Sequence, residues 1–143
     1  CRQYQQVAAE LLAAFKSEPC QLLVNCDPSL AVVDDADGLH LTASRLAALS
    51  ARPIATDRWF SASCHNLAEL EKAAALGVDF VTLSPVQPTA SHPQAELLGW
   101  GRFTALVRQA AMPVFALGGL SRQELSLALE AGAQGVAGIR LFQ

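Results

Sequence analysis

The chain has 143 residues, of which 52% are hydrophobic and 16% charged, and its formal net charge is −3. This length and composition favour a single domain with a buried core. There is no basic run and no apolar stretch of about 18 residues, so we expect neither nucleic acid nor a membrane as a partner. We expect a cytoplasmic protein with reduced thiols, because none of its four cysteines forms a C-x-x-C pair.

Short apolar runs alternate with segments of helical periodicity along the chain. In chain order we expect a helix over 3–16, a strand over 21–25, a short helix over 27–33, a strand over 38–41, a helix over 44–50, a strand over 59–63, a helix from Asn66 to Gly77, a strand over 79–83, a helix over 100–111, a strand over 113–117, a helix from Ser121 to Gly132 and a strand over 135–139. Glu69 and Glu124 each stand three residues after a candidate N-cap residue, which is the spacing of a capping box.

This strand–helix alternation predicts parallel strands joined by right-handed crossovers. Two α/β architectures accommodate the expected strands. One is an open six-stranded sheet. The other is a parallel (β/α) TIM-type barrel whose first two strands lie outside this sequence, because a closed barrel of this type has eight strands. Periodicity does not distinguish between them.

In parallel α/β folds, ligands bind beyond the carboxyl ends of the strands, so the residues that follow each strand are the site candidates. Gly118 and Gly119 follow one strand and precede the helix that begins at Ser121. Glycine lets the backbone approach an anion closely, and a helix N-terminus favours negative charge, so this turn predicts a phosphate site. The amides of Ile139 and Arg140, with the Arg140 guanidinium, would add donors. A tight turn without a ligand is the alternative.

The loop over 84–99 is long for a βα connection, and long loops inside a compact domain are usually functional. Thr89, Ser91 and His92 in this loop offer hydrogen-bond donors to an anionic ligand. A surface lid without a ligand is the alternative.

The remaining histidines give weaker signals. His40 is expected to be a structural or hydrogen-bonding residue, because no spacing brings the three histidines together as metal ligands. Cys64 and His65 are not expected to form a catalytic pair, since adjacent strand residues point to opposite faces.

Seven short stretches of the chain, in the same order and at matching spacing, resemble the thiamine phosphate synthase and thiazole tautomerase superfamily. They are residues 22–25, 36–41, 61–65, 79–81, 84–93, 113–120 and 131–137. In particular they are similar to the C-terminal barrel domain of bacterial proteins in which a Nudix hydrolase is fused to such a barrel. The resemblance implies a (β/α)8 barrel, of which residues 1–143 form a single domain that carries the last six strands and is incomplete at its N-terminus. It also raises an N-terminal Nudix domain and a homo-oligomer as candidate partners.

Synthases of this family join hydroxymethylpyrimidine diphosphate to a thiazole phosphate and release pyrophosphate, while magnesium holds the diphosphate. The resemblance assigns Thr89, Ser91, Gly118, Gly119, Ile139 and Arg140 to phosphate binding and Ser63 and His92 to catalysis. We also expect Asn25, His40 and Arg45 to contact the substrate. Cys26 and Arg45 stand where the family has its magnesium aspartates, so magnesium stays a candidate cofactor whose family ligands are absent, and no metal ligand is predicted.

Three functions stay open. The first is a transferase with a rearranged site, in which Arg45 contacts the diphosphate directly. The second is a catalytically degenerate module that binds a small phosphorylated heterocycle and is attached to a Nudix hydrolase. The third is a tautomerase or isomerase acting on a related phosphorylated heterocycle, although Pro85 stands where the tautomerase branch has its catalytic histidine. The absence of both aspartates favours the second and third.

Overall fold

The computed structural model describes residues 2–89 and 94–138. The elements are α1 (Arg2–Phe15), β1 (Leu23–Val24), α2 (Val32–Asp35), β2 (Gly38–Leu41), α3 (Ala43–Ala48), β3 (Trp59–Cys64), α4 (Leu67–Ala75), β4 (Phe80–Leu83), α5 (Gly99–Val107), β5 (Val114–Leu117), a 3-10 turn (Arg122–Glu124), α6 (Leu125–Glu130) and β6 (Gly135–Ala137). None of the helices in these two ranges has the length and apolar character that crossing a bilayer requires.

The six strands form one parallel sheet in the order β1-β2-β3-β4-β5-β6. Every crossover therefore moves in the same direction, whereas a doubly wound open sheet reverses its strand order at a switch point. The sheet curls into part of a barrel with the helices outside, which confirms a parallel TIM-type (β/α) architecture over the open sheet. The carboxyl ends of all six strands consequently lie along one rim.

The two faces of the sheet differ in chemistry because side chains alternate along each strand. The outer face is apolar and fully buried: Leu39, Phe60 and Val81 are 0% exposed, and they pack with helix residues such as Phe103 into one core. The inner face carries aromatic residues at the amino end of the strands and polar residues toward the carboxyl end. The aromatic residues are Trp59, Phe80 and Phe115, whose ring centroids lie 6.1 and 5.6 Å apart in edge-to-face pairs.

An ion pair holds the amino ends of the strands together. Arg52 Nη2 lies 2.9 Å from Asp79 Oδ2, and the same oxygen accepts the Phe60 amide at 2.7 Å. The Arg52 guanidinium also lies over the Phe60 ring, 5.2 Å from its centroid. This end of the sheet therefore carries structural contacts, which leaves the opposite rim for ligands.

Local signals at the helix starts are largely confirmed. The Asn66 side chain accepts the Glu69 amide at 3.0 Å, and Ser121 forms a complete capping box with Glu124. At α4 the Glu69 side chain does not bond to the amide of the N-cap residue Asn66, as in a capping box. Its Oε2 accepts instead the amide of the preceding residue, His65, at 2.6 Å. Downstream of Ser121 the chain first makes a 3-10 turn and only then becomes α6.

The structure corrects the expected helix over 27–33. Asp27 Oδ1 accepts both the amide and the hydroxyl of Ser29, at 2.9 and 2.6 Å, so these residues form a side-chain-capped turn. Helical structure begins only at Val32. The strand expected over 21–25 is shortened to β1, because the flanking amides of Leu22 and Asn25 donate to the side chains of Asp37 and Tyr4.

Candidate functional site

A cavity of about 810 Å³ opens at the carboxyl rim of the sheet. Its walls come from the segments that follow five successive strands, β2 to β6. The lining residues are Thr42, Ala43, Ser63, His65, Asn66, Ser84, Pro85, Pro88, Thr89, Ala95, Glu96, Leu98, Arg102, Leu117, Gly118, Gly119, Leu120, Ala137 and Gly138. The volume is within the range of small-molecule sites, and apolar walls with a few polar groups are typical of them.

The Gly118–Gly119 turn forms one wall and contacts the loop after β4 backbone to backbone. Both glycines have a positive φ, of 101° and 68°. A Cβ built on Gly118 would lie 2.8 Å from Pro85 Cα, and one built on Gly119 would overlap the Pro88 carbonyl oxygen. The amides of Val86 and Gln87 donate to the carbonyls of Leu117 and Gly118, each at 3.0 Å. Glycine is therefore required here to admit the neighbouring loop, a reason that the sequence did not indicate.

The same turn also contains backbone amides without an acceptor among the described residues. In the part of the chain that the structure describes, the amides of Gly119 and Leu120 donate to no acceptor, and both residues line the cavity. Successive backbone amides in a turn can form an anion-binding concavity. The turn is therefore suited to a phosphoryl group.

A polar cluster lies behind the cavity on the inner face of the sheet. His40 Nδ1 lies 2.7 Å from Ser61 Oγ, His40 Nε2 lies 2.9 Å from Ser63 Oγ, and Thr82 Oγ1 donates to Ser63 Oγ at 3.4 Å. Burial lowers the pKa of His40, which keeps the ring neutral at neutral pH. Of these four residues only Ser63 lines the cavity, and His40 is connected to the cavity through its hydrogen bond with Ser63.

His65 lines the cavity beside Ser63, two residues further along β3 and its extension. Its Nδ1 lies 2.8 Å from the Ser84 carbonyl oxygen, and because a carbonyl only accepts, Nδ1 carries the proton. Cys64 between them faces the core, where it is 0% exposed and burial raises its pKa to about 12. The two adjacent side chains point to opposite faces as expected, and they form no thiolate–imidazole pair.

Glu96 and Arg102 contribute the two charged side chains among the described lining residues. Arg102 Nη1 lies 2.5 Å from Glu96 Oε1, and the two side chains are 49% and 83% exposed. This pair joins the loop before α5 to the first turns of that helix. The sequence reasoning missed both residues, because only the path of the loop brings them to the cavity mouth.

Asn25 and Arg45 lie together but outside the cavity lining. Arg45 Nη1 donates to Asn25 Oδ1 at 3.3 Å, across the rim from β1 to the start of α3. Nearby, Cys26 is 3% exposed, and burial raises the pKa of its thiol despite the opposing charge of Arg45. The carboxylate of Asp27 is bonded to Ser29, which lowers its pKa.

These residues do not fit magnesium, the metal that the family resemblance implies. Mg²⁺ takes oxygen ligands in a near-octahedral arrangement. The positions to which the resemblance assigns the metal ligands carry a buried protonated thiol and a guanidinium, and within residues 2–89 and 94–138 no three His, Cys, Asp or Glu side chains are grouped to hold a metal.

The predicted site residues thus divide into three sets. Those brought together around the cavity are Ser63, Thr89, Gly118 and Gly119. Those placed outside its lining are Asn25, His40 and Arg45. Those that lie outside the described residues are Ser91, His92, Ile139 and Arg140.

We compared the chain with known protein families, curated proteins and solved structures. The sequence model of the thiamine monophosphate synthase family matches residues 1–142. The chain belongs to this family. A putative thiamine-phosphate synthase 2 of Aquifex aeolicus is 31% identical over 141 residues, which are 99% of this chain and 76% of that protein. A putative thiamine-phosphate synthase of Geobacter sulfurreducens is 38% identical over 119 residues, which are 82% of this chain and 56% of that protein.

Solved structures support the fold of this thiamine phosphate synthase-like domain. A thiamine phosphate pyrophosphorylase from Pyrococcus furiosus superposes with a TM-score of 0.74 and 22% identity, over 96% of this chain and 66% of that one. The FabK M276A mutant of Thermotoga maritima reaches a TM-score of 0.67 at 13% identity, over 94% of this chain and 48% of that one. At these identities the likeness concerns the fold. The chain spans 56% to 76% of the length of the two curated relatives.

Proposed function

We propose that this domain serves thiamine biosynthesis by binding a thiazole phosphate-type ligand in the cavity at the carboxyl rim. The observation that carries the proposal is the pair of cavity-lining amides at Gly119 and Leu120 that have no acceptor within the described residues. Gly119 is exposed and Leu120 is half-buried, so a ligand can reach this part of the turn, and a phosphoryl oxygen could accept from both amides.

The rest of the cavity suits the remainder of such a ligand. Apolar surface for a flat heterocycle lies next to the Gly118–Gly119 turn, which we call the phosphate cradle. It is provided by Pro85, Leu98, Leu117 and Leu120. Thr89 supplies a hydroxyl-bearing side chain to the same space, and it already takes part in an interaction within the chain. The cavity volume of about 810 Å³ is large enough for two small ligands side by side.

If the domain is active, the second ligand is hydroxymethylpyrimidine diphosphate. The thiazole nitrogen forms a bond to the pyrimidine methylene carbon, while the bond from that carbon to the diphosphate oxygen breaks. The electron pair leaves with pyrophosphate, so charge stabilisation of the departing anion is the main requirement. Ser63 and the cationic Arg102 are among the side chains of the described lining that can donate hydrogen bonds to that anion.

A catalytically degenerate binding module is the second candidate, and one observation favours it. The buried thiol of Cys26 and the Arg45–Asn25 hydrogen bond leave this part of the rim without carboxylate ligands for a metal-held diphosphate. Such a module would keep the thiazole phosphate site and bind the diphosphate weakly.

Calorimetry on the full chain distinguishes these functions. Thiazole phosphate and hydroxymethylpyrimidine diphosphate are titrated separately, each with and without magnesium, with the unphosphorylated thiazole alcohol as the control. Binding of both ligands and formation of thiamine phosphate support the transferase. Binding of thiazole phosphate alone supports the module. If neither phosphorylated ligand binds, or if the alcohol binds equally well, the phosphate cradle is wrongly placed.

A further inference from the structure

The hydrogen-bond chain behind Ser63 follows from the register of three strands. His40 of β2 pairs with Ser61 of β3, and Ser63 of β3 pairs with Thr82 of β4. All four side chains point to the inner face, because Ser61 and Ser63 are two positions apart and paired residues of neighbouring strands share a face. The His40 ring spans Ser61 and Ser63 and bonds to both.

The direction of the first bond follows from the burial of Ser61. Its side chain is 0% exposed, and within the described residues its hydroxyl has one partner, His40 Nδ1. A hydroxyl carries one proton, and a buried proton without an acceptor is unfavourable. Ser61 therefore donates to Nδ1, which must carry no proton.

The second bond is then determined. The neutral imidazole has its proton on Nε2 when Nδ1 is an acceptor, so Nε2 donates to Ser63 Oγ at 2.9 Å. Burial disfavours the charged ring, which supports the neutral form.

Ser63 Oγ consequently accepts twice. It accepts from His40 Nε2, and it also accepts from Thr82 Oγ1 at 3.4 Å. A hydroxyl oxygen has two acceptor positions, and both are used. Ser63 can therefore form a further hydrogen bond only by donating its own hydroxyl proton. Among the four residues Ser63 is the one that lines the cavity.

We propose that Ser63 acts toward the cavity as a hydrogen-bond donor alone, with His40 and Ser61 as positioning residues that impose this polarity. The ligand atom opposite Ser63 must then be an acceptor, such as an oxygen of the diphosphate, and an amino or N–H group at that place is rejected. This inference rests on the proposed function for the identity of the ligand, but the polarity itself depends only on the protein.

The tautomer of His40 tests the polarity without any ligand. In full chain labelled with ¹⁵N-histidine, the His40 signals are assigned by their loss in His40→Gln. We expect the Nε2–H tautomer in the unmodified protein and a mixture of tautomers in Ser61→Ala. An Nδ1–H tautomer in the unmodified protein would overturn the inference.

Binding of inorganic pyrophosphate tests the consequence. Ser63→Ala should weaken binding about tenfold or more, as expected for one hydrogen bond to a charged group. Ser61→Ala should weaken it about threefold, whereas Ser61→Thr, which keeps the hydroxyl, should retain the affinity. Ser44→Ala, an exposed hydroxyl outside the cavity lining, is the control. Equal affinities for Ser61→Ala and the unmodified protein would remove His40 and Ser61 from the positioning role.

The two readouts separate the possible failures. If the unmodified chain binds no pyrophosphate while His40 is the Nε2–H tautomer, the diphosphate site of the transferase candidate fails and the polarity of Ser63 stands. If pyrophosphate binds while His40 is the Nδ1–H tautomer, the polarity fails and the diphosphate site stands.

Discussion

Gly119→Ala tests the contact between the glycine turn and the loop after β4. Gly119 has a φ of 68°, and a left-handed conformation costs an L-residue about 1–2 kcal/mol. The new methyl group would also overlap the Pro88 carbonyl oxygen, so the loop must move. That movement breaks the 3.0 Å bonds from the Val86 and Gln87 amides, at about 1 kcal/mol each. We expect a loss of about 3–4 kcal/mol in the free energy of unfolding.

Gly99→Ala is the matched control for this variant. Gly99 has a φ of 61°, yet nothing lies within 4 Å of a Cβ built there. It therefore carries the left-handed cost of about 1–2 kcal/mol without the overlap. Urea unfolding of both variants, followed by circular dichroism, should show Gly119→Ala less stable than Gly99→Ala by about 2 kcal/mol.

The same pair of variants also tests the site. Displacing the loop moves Thr89 and reorients the free amide of Gly119, so Gly119→Ala should weaken thiazole phosphate binding at least about tenfold. Gly99→Ala should bind like the unmodified chain. If the two variants lose equal stability, close approach of the loop is not the reason for glycine at this turn. If Gly119→Ala binds normally, the turn is not the phosphate cradle.

Three further predictions concern charge and thiol chemistry. Glu96→Gln removes the carboxylate that lies 2.5 Å from the Arg102 guanidinium, so it should tighten pyrophosphate binding about twofold to fivefold, whereas Arg102→Ala should weaken it. Calorimetry in which both variants change the affinity in the same direction would contradict this. Ellman's reagent at pH 8 should label the exposed Cys20 in the folded chain and leave Cys64 unlabelled until denaturant is added, because burial raises the Cys64 pKa to about 12. Hydrogen bonds from Ser121 lower the pKa of Glu124, so its contribution to stability is present above the ordinary pKa of 4.5 and is lost as pH falls through the lower folded value. Glu124→Gln should therefore flatten acid unfolding curves below about pH 4.5, and an unchanged slope would argue against the capping box in solution.

Much of the fold follows from local sequence signals. Glu124 and Ser121 form their capping box, and Gly77 and Gly132 end helices with a positive φ, because both features depend on residues a few positions apart. The short helix expected over 27–33 is wrong for an equally local reason, since Asp27 binds Ser29 and forms a turn. Here two local preferences compete, and the sequence pattern does not show which is stronger.

The candidate site was only partly accessible from sequence. Ser63, Thr89, Gly118 and Gly119 follow strands, and parallel strands bring such positions to one rim, so their convergence could be predicted. The position of Arg45 beside Asn25 and outside the cavity lining could not, because the direction of a long side chain depends on its neighbours in space.

The amino-acid sequence by itself determines the alternation of strands and helices, the capping of two helices and the rim on which the candidate site residues lie, because these depend on spacing along the chain. Only the tertiary structure decides that the strands run in unbroken order around part of a barrel, that Glu96 meets Arg102 at the cavity mouth, and that His40 bridges two serines. Those contacts join residues on different elements. Their geometry is set by strand register and loop path, which the whole core determines together.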